Sequence, residues 1–153
     1  MKNGGSFRPF ASRSGFTLIE LLITVAIIGI IAAIAVPRLL DAKKAANEAS
    51  AIQSVRAIST AQRLYSSTVG AGKYAPTMNL LSPMILDTVL GSGSKDGYSF
   101  TITADDDRDY TVVALPITLG VTGFRGFYTD ATGVIRYSPD GSAPTLASPP
   151  IPR

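Results

Sequence analysis

The sequence predicts an α+β fold: a long N-terminal α-helix, membrane-spanning in its first half, packed against a small antiparallel β-sheet head. Three observations carry this. Phe16 to Val36 is a run of 21 residues with a single charge, Glu20, and at helical rise it covers roughly 30 Å, about the thickness of a bilayer's hydrocarbon core. Beyond Pro37 the apolar residues Ala42, Ala45, Ala49, Ile52, Val55, Ile58, Ala61 and Leu64 recur three or four apart, the period of a helix face. From Tyr98 onward the pattern turns to period two, with β-branched and aromatic residues.

The apolar run fits a spanning helix, or a secretion signal, and two features narrow it. The first is Glu20. A lone carboxylate in the apolar part of a spanning helix costs about 2.5–3.5 kcal/mol, and such groups usually mark function. The second is what precedes the run: fifteen residues with Lys2, Arg8 and Arg13, no acid, and Gly15 directly against the apolar stretch. In an ordinary signal peptide the apolar part precedes the cut and is discarded. Ala33-Ile34-Ala35 offers an A-x-A-like site, but Glu20 and the length of the run speak against that use. The basic leader stays on the cytoplasmic side by the positive-inside tendency, which puts the bulk of the chain outside.

Gly15-Phe16-Thr17-Leu18-Ile19-Glu20 resembles the cleavage and methylation motif of type IV pilins and their pseudopilin relatives. The likeness continues through Pro37 to about Ser67 and then fades. The resemblance implies cleavage between Gly15 and Phe16 by a prepilin peptidase, and N-methylation of Phe16 by the same enzyme. It implies a homopolymer of identical subunits built by an assembly ATPase and an inner-membrane platform. The precursor would sit in the inner membrane, in contact with lipid, before joining an extracellular pilus filament or a periplasmic pseudopilus. The cut frees an amine on Phe16, and spacing i to i+4 puts Phe16 and Glu20 on one face. Lipid tails are about as apolar as Leu, so a buried charge pair and packing must favour the filament over the bilayer. Glu20 is therefore expected to pair with the Phe16 amine of an adjacent subunit.

Gly29 and Pro37 are weak points of the helix. Pro37 cannot donate to the carbonyl of Ala33, and Gly29 is worse than Ala by about 1 kcal/mol. Two readings stay open: a simple kink at Pro37, or loss of helical order between the two inside a filament, as the resemblance implies. Gly29 and Ala33 also form a small-x-x-x-small pair that permits close helix approach. Lys44 and Glu48 read as an i to i+4 pair on the face opposite the alanines, and Gly70 and Gly72 stop the helix.

Residues 76–97 connect. Ser82-Pro83 predicts the cap of a short helix ending near Leu90, with Gly91 as its stop. Tyr98–Thr103 and Asp109–Leu115 form one hairpin around the loop 105–108, and Arg125–Thr129 and Val134–Tyr137 another around 130–133, giving about four strands. Residues 139–153 include five prolines and are extended or disordered, not a central strand. The organisation is thus a cleaved leader at 1–15, a long helix at 16–68 with 16–37 as its membrane or filament-core part, a head at 69–138 and a Pro-rich tail at 139–153.

Composition removes several function classes. There is no Cys, His or Trp. Disulfides are excluded, a departure from the many pilins that close a C-terminal loop with one, and so are His-based catalysis and His-ligated metals. The formal charge of +3 comes from 14 basic and 11 acidic residues, and three of the basic ones lie in the leader. The mature chain is neutral, which leaves no general electrostatic case for nucleic acid. No P-loop, G-x-S-x-G or metal-ligand set is present, so neither an enzyme, a cofactor nor a small-molecule substrate is expected. G-x-G-x-x-A at 70–75 ends a helix instead of following a strand, the wrong context for a dinucleotide. Asp105, Asp106, Asp107 and Asp109 form a weak calcium candidate without EF-hand spacing, and a solvated hairpin loop is the plainer reading.

The expected function is a major-type pilin, polymerising through its N-terminal helix for adhesion, twitching motility or DNA uptake. The alternatives are the major pseudopilin of a type II secretion system and a single-pass membrane-anchored domain that never assembles.

Overall fold

A computed structural model describes residues 15–82, 85–105 and 109–152, with only the backbone of Asp105. The leader before Gly15, Pro83 of the expected cap, and residues 106–108 lie outside the described residues. The chain divides into two units, one up to Arg38 and one spanning Leu39–Arg153.

The first unit is helix throughout after its opening residues. Helix α1 (Leu18–Thr68) starts here and runs through both Gly29 and Pro37 without interruption. Every residue from 15 to 38 is exposed. This stretch is long and apolar enough to cross a membrane, and none of it is buried within the chain.

In the second unit the remainder of α1 packs against a five-stranded antiparallel meander: β1 (Ser94–Lys95), β2 (Tyr98–Asp105), β3 (Asp109–Pro116), β4 (Gly126–Asp130) and β5 (Arg136–Ser138), in that spatial order. The buried residues of β2 are Tyr98, Phe100 and Ile102, and those of β3 are Tyr110, Val112 and Ala114, the alternation that period two predicts. They meet Ala51, Val55, Ile58 and Ala61 of α1 and Phe127 of β4 in one core. Leu81, Leu86 and Leu90, from the connection ahead of the sheet, complete it.

Four sequence expectations need correction. The sheet has five strands, not four, because Asp96 and Gly97 turn β1 back onto β2. Both have positive φ, 47° and 77°, and Lys95 pairs with Tyr98, a two-residue hairpin of the kind Asp-Gly favours. The short helix, α2 (Thr88–Gly91), is a single turn capped by Asp87, whose side chain accepts from Leu90 N at 2.8 Å. It does not begin at Ser82, because Leu81 and Leu86 turn inward first. The buried face of α1 also differs. Ala42, Ala45, Ala49 and Leu64 are exposed, and the face inside is Glu48, Ala51, Val55, Ile58, Ser59 and Gln62. Val55, Ile58 and Ala61 of the expected stripe are buried and Ile52 is partly so, but the face also includes polar residues, so a search for alanines and aliphatics finds only part of it. Gln62 is fully buried because its amide donates to Ala75 O and accepts from Ala75 N, both at 2.8 Å. Lastly, Lys44 bonds Asp41 at 3.1 Å rather than Glu48.

The Pro-rich tail is extended and follows the free edge of β5. Tyr137 N donates to Pro149 O and Ile151 N to Ile135 O, each at 3.0 Å, and Pro144 is buried. Prolines suit this edge position, where their missing N–H groups break no ladder.

Candidate functional site

The N-terminal site is built from a helix start. Thr17 is the residue before α1, and its Oγ1 accepts from Glu20 N at 3.2 Å. Thr17-x-x-Glu20 has the spacing of a capping box, a signal present in the sequence and unused in the reading above. The acid lies in the first turn, where the positive end of the helix dipole favours a carboxylate. Thr24 returns a hydroxyl bond to Glu20 O at 2.6 Å. Phe16 is 77% exposed, and among the described residues no atom comes within 4 Å of a Cβ placed on Gly15. An amine freed on Phe16 would face the repelling end of the helix dipole, and Glu20, one turn on, supplies the charge that offsets it.

Comparison with known proteins meets this same segment. Residues 11–36 match the family model described as the prokaryotic N-terminal methylation motif. Over 140 residues the chain is 31% identical to "Type IV major pilin protein PilA" of Myxococcus xanthus, covering 84% of this chain and 60% of that protein. Over 112 residues it is 30% identical to "Type II secretion system core protein G" of Escherichia coli K12, covering 69% of this chain and 75% of that protein. The chain belongs to the type IV pilin and pseudopilin family. It is also 52% identical, over 54 residues, to "Type IV narrow pilus major component PilA5" of Thermus thermophilus, which is 31% of this chain and 47% of that protein. No solved structure gives a significant match. The chain spans about 60% of the length of the Myxococcus pilin.

Membership in this family goes with filaments of like subunits, processing by a prepilin peptidase, and a membrane-anchored precursor that ends in an extracellular pilus or periplasmic pseudopilus. The family is one of structural proteins. Of the acidic cluster, the side chain of Asp105 and all of Asp106 and Asp107 lie outside the described residues. Asp109 is described, and its Oδ1 accepts from Tyr110 N at 2.8 Å and Ala131 N at 3.2 Å. Among the described residues no group of three or more acids stands close enough to hold a metal.

The pilin head contains a second polar constellation that the sequence reading missed. Glu48 is 7% exposed. Its Oε1 accepts from Phe124 N at 2.8 Å and Arg125 N at 3.1 Å, and its Oε2 pairs with Arg125 Nε at 2.7 Å. Burial pushes this carboxyl up, but the Phe124 amide, the Arg125 side chain and the Arg125 amide together hold it below its ordinary value. One residue earlier, Asn47 Nδ2 donates to Thr122 O at 2.9 Å. Tyr98 OH donates to Arg125 O at 2.9 Å, and it passes where a Cβ on residue 123 would stand, 2.1 Å away. Gly123 is thus required for the close approach. This clamp ties the β3–β4 connection to α1. No local signal announces it, because the partners are 77 residues apart.

Proposed function

We propose that this chain is a major-type pilin, the structural subunit of a type IV pilus. One observation carries the reading: a helix whose first half presents only unburied side chains, nearly all apolar, and opens on the methylation motif. Such a surface needs lipid or copies of itself. The leader, residues 1–15, is cut off after Gly15, and Phe16 is N-methylated. Residues 16–37 first span the membrane and then form the filament core within the helix 16–68. Residues 69–138 are the head and 139–153 the tail. Glu20 pairs with the Phe16 amine of a neighbour, so each added subunit neutralises a charge that is costly in lipid. Gly29 and Pro37 bound a stretch that can give up helical order under load.

The chain does no chemistry of its own and takes no cofactor. An assembly ATPase and an inner-membrane platform supply the work of extraction. Adhesion, twitching motility or DNA uptake follows from the filament. The second reading is the major pseudopilin of a type II secretion system. It is favoured by the alignment with protein G, which covers 75% of that protein. A calcium ion at Asp105–Asp109 would go with it, and head unfolding unchanged by chelator would remove that ion from consideration.

Intact mass of protein sheared from cells tests the main reading. The expected species begins at Phe16 and carries one extra methyl group. Sheared filaments still beginning at Met1 would overturn it.

A further inference from the structure

The edge of a sheet is a row of unpaired backbone groups, open to a strand from another chain. At one edge of this sheet β1 is two residues long, and Lys95 is held by Asp87 at 3.2 Å. Short edge strands and edge lysines discourage pairing. At the other edge β5 would offer Tyr137 N and Ile135 O, and the tail takes both. Tyr137 N donates to Pro149 O and Ile151 N to Ile135 O, with Pro150 opposite Arg136 in an antiparallel bridge. Arg136 Nη1 donates to Ser148 O at 2.9 Å, and Ile151 packs against the core.

A strand added in this way ordinarily only moves the open edge outward. Here it does not. In an antiparallel pair the N–H and C=O of one residue point to the same side, and the side alternates along the strand. Pro149 and Ile151 direct theirs to β5. Residue 150, and 152 next in the alternation, direct theirs away. Both are proline, and both are exposed. Proline has no N–H, so neither outward position has a donor. An incoming strand must come within about 4.8 Å to pair, and there it meets two pyrrolidine rings instead of two N–H groups.

We propose that residues 149–152 are an edge stop: they fill the β5 edge and put proline at both outward positions, so that the sheet of one copy cannot add to the sheet of a second. Filaments of like subunits hold copies of the chain at high local concentration. An open edge would give those copies a competing way to associate, sheet to sheet. The stop belongs to the single chain, so it does not depend on which kind of filament is built.

Restoring the missing donors tests it. In Pro150→Thr/Pro152→Thr the N–H groups return on the outward side, while the bonds of 149 and 151 to β5 are untouched. Pro149→Thr is the control, because its N–H returns on the side of β5. Each is made in the full chain and held at one chain per nanodisc. Sedimentation follows association between discs, and hydrogen exchange reads the Tyr137 amide. Wild type and Pro149→Thr are expected to stay single. The double variant is expected to pair at a concentration about tenfold below any at which wild type does, as two added hydrogen bonds would give, with the Tyr137 amide still protected. A double variant that stays single with Tyr137 protected overturns the stop. If Tyr137 loses protection, the tail has left and β5 is bare, and discs that still stay single overturn it equally. Wild type pairing as readily as the double variant overturns it too. So does pairing of Pro149→Thr to the same extent, which would assign the effect to loss of proline and not to the outward side.

Discussion

Helix α1 is one element with two kinds of surface. Before Arg38 its side chains are nearly all apolar and all exposed. Beyond Ala46 the helix contains Glu48, Ser54, Ser59 and Gln62, and these are buried. In a water-soluble protein the assignments would be reversed. The difference shows that burial within the chain measures only part of what a sequence is written for. On the proposed function the first half is matched to lipid and to other subunits, and its one charge, Glu20, would make leaving lipid favourable. The second half is matched to its own sheet, and its polar groups are inside because each has a partner there.

The largest expected effect falls on the first half. Glu20→Ala removes a charge that costs about 2.5–3.5 kcal/mol in the apolar part of a bilayer. Insertion should be unimpaired and the precursor should accumulate in membranes, while sheared filament falls to a small fraction of wild type. Filament yield equal to wild type would show that apolar packing alone drives assembly, and the contrast between the halves would lose its basis.

On the second half the counterpart is Glu48→Ala. Phe124 N and Arg125 N lose their acceptor, and Arg125 loses its ion pair. With each buried unpaired group costing about 1–3 kcal/mol, and with Arg125 side chain partly solvated, a loss of about 3 kcal/mol is expected. Thermal unfolding of the full chain in detergent checks it. Insertion should be unaffected. The same carboxylate sets an acid limit. Its folded-state pKa is below its ordinary value, so its contribution is fully present above the unfolded value near 4.3 and is lost as pH falls through the folded one. Unfolding followed from pH 6 downward should show a stability drop that Glu48→Gln makes smaller, the remainder coming from carboxylates such as Asp87 and Asp140 that are also held below their ordinary values.

These two acids also mark how far the sequence could be read. Glu20 is legible because its surroundings are local: an apolar run on one side and Gly15-Phe16 on the other. Glu48 is not. Lys44 at i−4 offered a surface pair, and nothing nearby pointed to Arg125. The α+β class, the long helix and the period-two strands were legible because each rests on spacing along the chain. The buried face of α1 was only partly legible: Val55, Ile58 and Ala61 are in it, but Glu48 and Gln62 count as polar in any apolar search, although distant backbone groups satisfy both. Two further signals were present and passed over. Asp96-Gly97 between Lys95 and Tyr98 announced the first hairpin. Asp87 was a better cap than Ser82 once Leu86 is seen to be core. The tail's pairing with β5 had no signal beyond its prolines.

The smallest expected effect tests whether the polar face of the second half is held pairwise. Tyr110 is almost fully buried, its hydroxyl lies 2.6 Å from Ser59 Oγ, and its ring meets Tyr74 edge-on at 4.7 Å. Tyr110→Phe keeps the ring contact and removes one hydrogen bond. Ser59 can turn its hydroxyl to the carbonyl four residues back on its own helix, so the loss should be only about 1 kcal/mol. Ser59→Ala leaves the phenol of Tyr110 with the weaker contact to Ser59 O at 3.5 Å and should cost about the same. If the two groups are buried for each other's sake, the double variant loses less than the sum, because removing both partners leaves neither unsatisfied. Strict additivity would mean that each hydroxyl is satisfied independently, and that the polar face of α1 is tolerated in the core group by group, not as matched pairs.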